Sequence, residues 1–197
     1  RVFRAFDRVK ERRVAIKLVS FDGGDREQLE GRFRREVDIV AQLGGCVFVP
    51  IYDHEILDDR AYFTMELLEG ESLHQRLARE GRLGGRATLE LLRALALGLQ
   101  EAHALGFVHR DLKPSNVFFD HGGDVRLLDF GVARAMAGSS TLTRNGTVLG
   151  SPFYVSPEQA RGDAVDHRAD LWALAVNAYR CLTDRRPFEG ELGALMV

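Results

Sequence analysis

With 197 residues, 45% of them hydrophobic and 28% charged, and a net charge of −2, the chain can bury a core in one domain or two small lobes. This balance fits neither a disordered segment nor a nucleic-acid binder. No window approaches the roughly eighteen uninterrupted apolar residues of a spanning helix, and no charged-then-apolar leader opens the chain. Cys46 and Cys181 stand far apart inside apolar runs, which argues against a disulfide framework and for a reducing, cytoplasmic setting. Opening on Arg1, the chain reads as a piece of something longer, so any membrane anchor would belong to the parent protein.

From about residue 2 to 68 short β-type runs dominate: RRVAIKLVS (12–20) alternates, and AYFTMELL (61–68) is nearly continuous and apolar. Between them REQLEGRFRREVDIVAQLG repeats apolar residues at Leu29, Phe33, Val37, Val40 and Leu43, the spacing of a helix that Gly44 and Gly45 would end. Its arginines read as a solvated face. EGESL (69–73) is the expected hinge, after which the chain turns mostly helical. TLELLRALALGLQEAHALG (88–106) has an apolar side at Leu92, Leu95, Leu99 and Ala102 with Gly106 as C-cap, and ADLWALAVNAYRCLT (169–183) reads as a helix buried nearly all round. The expected fold is therefore α+β in two lobes, a small β-rich one with one helix and a larger, mostly helical one.

On the alternating strand Ala15, Lys17 and Val19 share one face. A lysine among small apolar residues needs a reason, and Glu36, beside the apolar stripe of the following helix, needs a cation if it points inward. An ammonium held by that carboxylate would present a fixed charge to phosphates. HRDLKPSNVFFD (109–120), which follows a β-type GFVH (106–109), then places Asp111, Lys113 and Asn116 on a loop pinned by Pro114, and LLDFG (127–131) delivers Asp129 from an apolar strand. Asp111, Asn116 and Asp129 are oxygen donors on adjacent loops, suited to Mg²⁺ that takes the rest of its shell from water and phosphates. With Lys113 to neutralise a phosphoryl group and Asp111 to accept a hydroxyl proton, the set describes phosphoryl transfer.

In this order VAIK, an in-register helix glutamate, HRDLKPSN, DFG, SPE and DLW resemble the eukaryotic-type protein kinase catalytic domain, and DLKPSN and SPFYVSPEQARG resemble its bacterial Ser/Thr-directed members. The resemblance implies ATP and Mg²⁺ (or Mn²⁺) as cofactors and Ser/Thr hydroxyls of proteins as acceptors. It also implies a partial domain over 1–197: 1–68 as an N-lobe without the Gly-rich loop, 69–197 as a C-lobe without its last helices. Lys17 would bind the α- and β-phosphates and pair with Glu36, Asp111 would be the catalytic base, Lys113 would contact the γ-phosphate, and Asn116 and Asp129 would hold the metal. Adenine would lie between Val2 and Ala15 above and Phe118 below, with Met65 as gatekeeper and backbone groups of Glu66 and Leu68 on its edge. Ser151 would position substrate.

The same resemblance implies a regulatory segment between DFG and SPE, with Thr143 and Thr147 as candidate autophosphorylation sites and Arg110 as the group that receives the phosphate. His103 reads as a packing or capping histidine, and Glu158 as a carboxylate left buried without its partner. A homodimer is left open. The alternative from a different class is an inactive kinase-like fragment that binds nucleotide or protein; a small-molecule phosphotransferase fits less well, because such enzymes lack the SPE segment.

Overall fold

The computed structural model describes residues 1–21, 25–43, 47–57, 60–128 and 152–188. Strands β1 (Val2–Asp7), β2 (Arg12–Ser20), β3 (Ile51–Ile56) and β4 (Arg60–Glu66) form one antiparallel sheet in the order β1-β2-β4-β3, and helix α1 (Arg26–Gln42) lies between β2 and β3 in sequence. The Asp25 side chain caps α1 by accepting from the Glu27 amide, satisfying one of the orphan donors of a helix start. Leu29, Phe33, Val37 and Val40, at three- and four-residue steps, are the buried stripe of α1, while Arg32, Arg34 and Arg35 are exposed. Their core partners from the sheet include Ala15, Val19, Ala61, Phe63 and Met65. Helix α1 stops at Gln42 with Leu43 as its cap, and the expected Gly44-Gly45 terminator, like Cys46, falls outside the described residues.

A second sheet begins at the expected hinge. Strands β5 (Gly70–Ser72), β6 (Val117–Asp120) and β7 (Val125–Leu127) pair antiparallel, and β5 runs directly into α2 (Leu73–Glu80) through a capping box between Ser72 and Gln75. Gly70 has φ +149° and an added Cβ would stand 2.1 Å from the Phe119 carbonyl oxygen, so only glycine lets β5 lie against β6. Gly70→Ala is expected to cost about 1–3 kcal/mol; urea unfolding of the two proteins measures it, and equal midpoints would disprove the steric account.

Helix α3 (Gly85–Ala104) buries Leu91, Leu95, Gly98, Leu99 and Ala102. Thr88 and Leu91, at three- and four-residue steps before Leu95, begin the buried side, and Leu92, expected on it, is only half-buried at its edge. Leu105, not Gly106, is the cap. Gly106 follows it at φ +73°, and the amides of Gly106 and Phe107 bond back to the carbonyls of His103 and Ala102. The chain then runs without regular structure through 107–113, where a β-type GFVH was expected; its backbone groups are taken by side chains instead of a ladder.

After a 3₁₀ turn (Pro152–Tyr154) and a short helix α4 (Pro157–Arg161), helix α5 (Arg168–Thr183) buries Ala169, Asp170, Ala173, Val176, Asn177 and Cys181. Leu171, Tyr179 and Leu182 on its other side are exposed, so burial nearly all round does not hold among the described residues: one stripe meets the core and carries two polar side chains with it. Glu158, expected to be buried, is half-buried, and Arg168, held chiefly by its bonds to Asp166, also feels its charge. The core is continuous between the two sheets: Val47, Phe48 and Val49 join them, the Leu127 amide bonds to the Val47 carbonyl at 2.6 Å, and Gly98 makes room for Val47 on α3.

Candidate active site

The site forms where the irregular segment 107–116 leaves α3 and enters β6. Asp111 and Lys113 form an ion pair with Nζ 2.7 Å from Oδ2, and both are half-buried. The Asn116 side chain, 5% exposed, donates from Nδ2 to the Asp111 carbonyl at 2.8 Å and to Asp111 Oδ2 at 3.1 Å. Three polar residues are thus gathered on one turn, and the Asn116 amide also closes that turn onto the Lys113 carbonyl. With Nδ2 committed to Asp111, the Asn116 group left for a ligand is Oδ1, a hard neutral oxygen. That donor chemistry fits a hydrated Mg²⁺-type cation. Asp129, Ser151, Thr143 and Thr147 lie outside the described residues. The strand expected to deliver Asp129 is β7; it ends at Leu127, and the Leu128 amide bonds to the Asn116 carbonyl at 2.7 Å.

The 109–116 loop is held by α5. Asp170, fully buried, accepts from the His109 amide at 2.9 Å, the Arg110 amide at 2.8 Å and His103 Nε2 at 2.8 Å. His103, read as a packing or capping histidine, is a donor in this anchor. Arg110 sits at φ +63°, a left-handed conformation rare outside glycine, and it persists because Asp170 holds its N–H while Gln159 Nε2 donates to its carbonyl at 3.0 Å. Asn177 adds a third hold, donating to the Leu112 carbonyl at 3.3 Å. His109 is fully buried, and burial lowers its pKa. The neutral ring accepts from the Asp111 amide at Nδ1 and faces the Leu128 carbonyl with Nε2, which therefore carries the proton.

Sequence reasoning assigned no role to Asp170, Asn177 or Gln159. The signal was present, since Asp170 and Asn177 are polar interruptions seven residues apart on an otherwise apolar helix, and such groups are retained where they have partners.

Lys17 is 7% exposed on the inward face of β2, flanked by buried Ala15 and Val19 as the alternation predicts. Burial lowers its pKa to about 8; the Asp111 charge acts against that fall and Lys113 adds to it. The lysine therefore faces the loop that carries Asp111. Glu36 is half-buried and its pKa is raised, by burial first, with Arg110 and Arg35 pulling it back. With its pKa at about 8, Lys17 is expected to be labelled by a small amine-directed reagent with a pH midpoint near 8, however slowly its burial lets the reagent in. Peptide mapping of the labelled chain against pH measures this. A labelling midpoint above 10, like that of an ordinary lysine, would overturn the buried placement.

Ala15 and Met65 are buried and directly opposed on β2 and β4; Val14 opposes Glu66, and Val2, more than half exposed, opposes Lys17. Leu68 and Phe118 are half-buried, with Phe118 on β6 opposite Ser72. Among the described residues no three His, Cys, Asp or Glu side chains cluster as a metal centre, and no helix is long and apolar enough to cross a membrane.

The family model described as the protein kinase domain matches residues 1–195. The chain is 38% identical over 190 residues to the serine/threonine-protein kinase PrkC of Bacillus subtilis, covering 96% of this chain and 29% of that protein. It is 38% identical over 190 residues to the serine/threonine-protein kinase PknL of Mycobacterium tuberculosis, covering 96% of this chain and 47% of that one. With the serine/threonine-protein kinase pkn2 of Myxococcus xanthus it shares 43% over 186 residues, covering 92% of this chain and 22% of that one. The chain thus spans less than half the length of these relatives.

Proposed function

The chain belongs to the protein kinase domain family, and from that premise we propose that the protein of which it is part transfers the γ-phosphate of ATP to serine or threonine hydroxyls of proteins. The observation that carries the proposal is the Asp111–Lys113–Asn116 turn, tied by three hydrogen bonds and anchored through Asp170. In this reading Asp111 accepts the hydroxyl proton, and Lys113, 2.7 Å away, offsets charge on the phosphoryl group. Asn116 Oδ1 and Asp129 would hold Mg²⁺, whose charge would offset that of the phosphates.

Lys17 would bind the α- and β-phosphates, whose charge would restore the proton its burial disfavours. Glu36 would pair with it. Ala15 and Met65 would face the adenine, with Val2 above and Phe118 below. The Glu66 amide is already given to the Pro50 carbonyl at 3.2 Å, so its carbonyl would take the adenine amine and Leu68 N–H the ring edge. Ser151 would steady the acceptor, and phosphorylation at Thr143 or Thr147 would be received by Arg110.

The test is transfer of labelled γ-phosphate from Mg-ATP to a generic protein and to the chain itself, followed by phosphoamino-acid analysis. Labelled serine or threonine is the expected result. Tight ATP binding with no transfer to any acceptor would sink the proposal and leave a nucleotide-binding module.

A further inference from the structure

Helix α5 ends in a built turn. Asp184 takes the left-handed conformation at φ +59°, the Arg185 amide donates to Thr183 Oγ1 at 3.1 Å, and Phe188 stacks on Trp172 at 5.4 Å between centroids with the rings 3° from parallel. This turn sets the Arg186 guanidinium 3.8 Å over the Phe153 ring. Phe153 belongs to the Pro152–Tyr154 turn, and four residues after Val155 the same segment reaches the catalytic loop, where Gln159 donates to the Arg110 carbonyl. Arg186 is thus fixed beside the segment that borders Asp111, and Arg185 precedes it on the same turn.

Charge balance separates these two from their neighbours. Arg161 pairs with Asp163, Arg168 with Asp166 and Arg180 with Asp184. Arg185 and Arg186 are exposed and have no carboxylate partner among the described residues. Both the Arg186 and Arg180 charges act on Tyr154. On β5, which pairs with the strand leaving the catalytic loop, the acid is already matched: Glu71 accepts from Arg76 at 2.9 Å and from Arg79 at 2.6 Å. A basic substrate side chain therefore meets no open carboxylate at Glu71, and an acidic one meets two open guanidiniums at the α5 turn.

We infer that Arg185 and Arg186 form a rim beside the acceptor site that selects protein substrates carrying Asp or Glu next to the serine or threonine; this rests on the kinase reading above. Arg186 is held in place by Phe153, so it presents its charge with little ordering cost, and both arginines act by charge-assisted hydrogen bonds to carboxylates. As exposed groups they lose grip as salt rises.

The test uses two serine peptides that differ only in flanking Glu or Lys, with binding followed by fluorescence anisotropy and transfer followed as kcat/KM in the presence of Mg-ATP. The acidic peptide is expected to win by about tenfold in both, as two exposed charge pairs allow. Arg185→Glu with Arg186→Glu should invert the ratio, while Arg186→Lys should preserve it, a pattern that misfolding does not produce. Equal binding of the two peptides, or a preference that survives charge reversal, would overturn the inference while transfer to both upholds the kinase. Selective binding of the acidic peptide with no transfer would instead remove the kinase reading and keep the rim.

Discussion

Asp111→Asn is expected to lower phosphoryl transfer by about 10²–10⁴, the usual worth of a positioned general base, while leaving ATP binding in place. The asparagine is nearly the same size and its oxygen can still accept from Lys113 Nζ and Asn116 Nδ2, which stand 2.7 and 3.1 Å from the carboxylate now. What it loses is the ability to take a proton at neutral pH. Single-turnover transfer and nucleotide fluorescence on the same preparation separate the two effects. A variant that transfers at the parent's rate would remove Asp111 from the base role and leave it as a scaffold for Lys113 and Asn116.

Asp170→Ala should be the most destabilising substitution near the site. It strips a fully buried carboxylate from two backbone amides and from His103, leaving three donors without an acceptor. Breaking one partner out of a buried charged network costs about 3–5 kcal/mol, a large share of the roughly 5–15 kcal/mol that holds a domain folded. The Arg110 backbone at φ +63° then has lost one of its two restraints and is expected to relax, carrying Asp111 with it. Denaturant unfolding measures the first effect. Asp170→Asn, which keeps one acceptor oxygen, should fall between the two and provide a folded protein in which reduced transfer can be read. A folded Asp170→Ala protein with parental stability would show that the anchor lies elsewhere, with Asn177 and Gln159.

The elements that were legible in the sequence are those whose periodicity is local. The strand at 12–20 coincides with β2, and the helices starting near Arg26 and Arg168 are found within a residue or two, because alternation and three- and four-residue steps are properties of neighbouring side chains. The reading failed at GFVH, where β-type residues do not form a strand. Val108 and its neighbours have no ladder to join; Asp170, sixty-one residues after His109, supplies the acceptor that a strand would have supplied. Strand β5 was invisible for the complementary reason. Three residues with a glycine carry no pattern, and only the presence of β6 makes Gly-Glu-Ser extended.

By itself the sequence determined which chemical groups are available and in what order: an inward lysine on a strand, a glutamate on a helix, and Asp111, Lys113 and Asn116 on one turn, close enough in sequence that the turn alone brings them together. Tertiary structure decided what surrounds them. Burial moves Lys17 to a pKa of about 8, α5 reaches back to clamp Arg110 in a strained conformation, and the turn after α5 sets Arg186 over Phe153 with no carboxylate partner among the described residues. Each of these depends on desolvation or on partners dozens of residues away. Those quantities are set by packing, and no local pattern carries them.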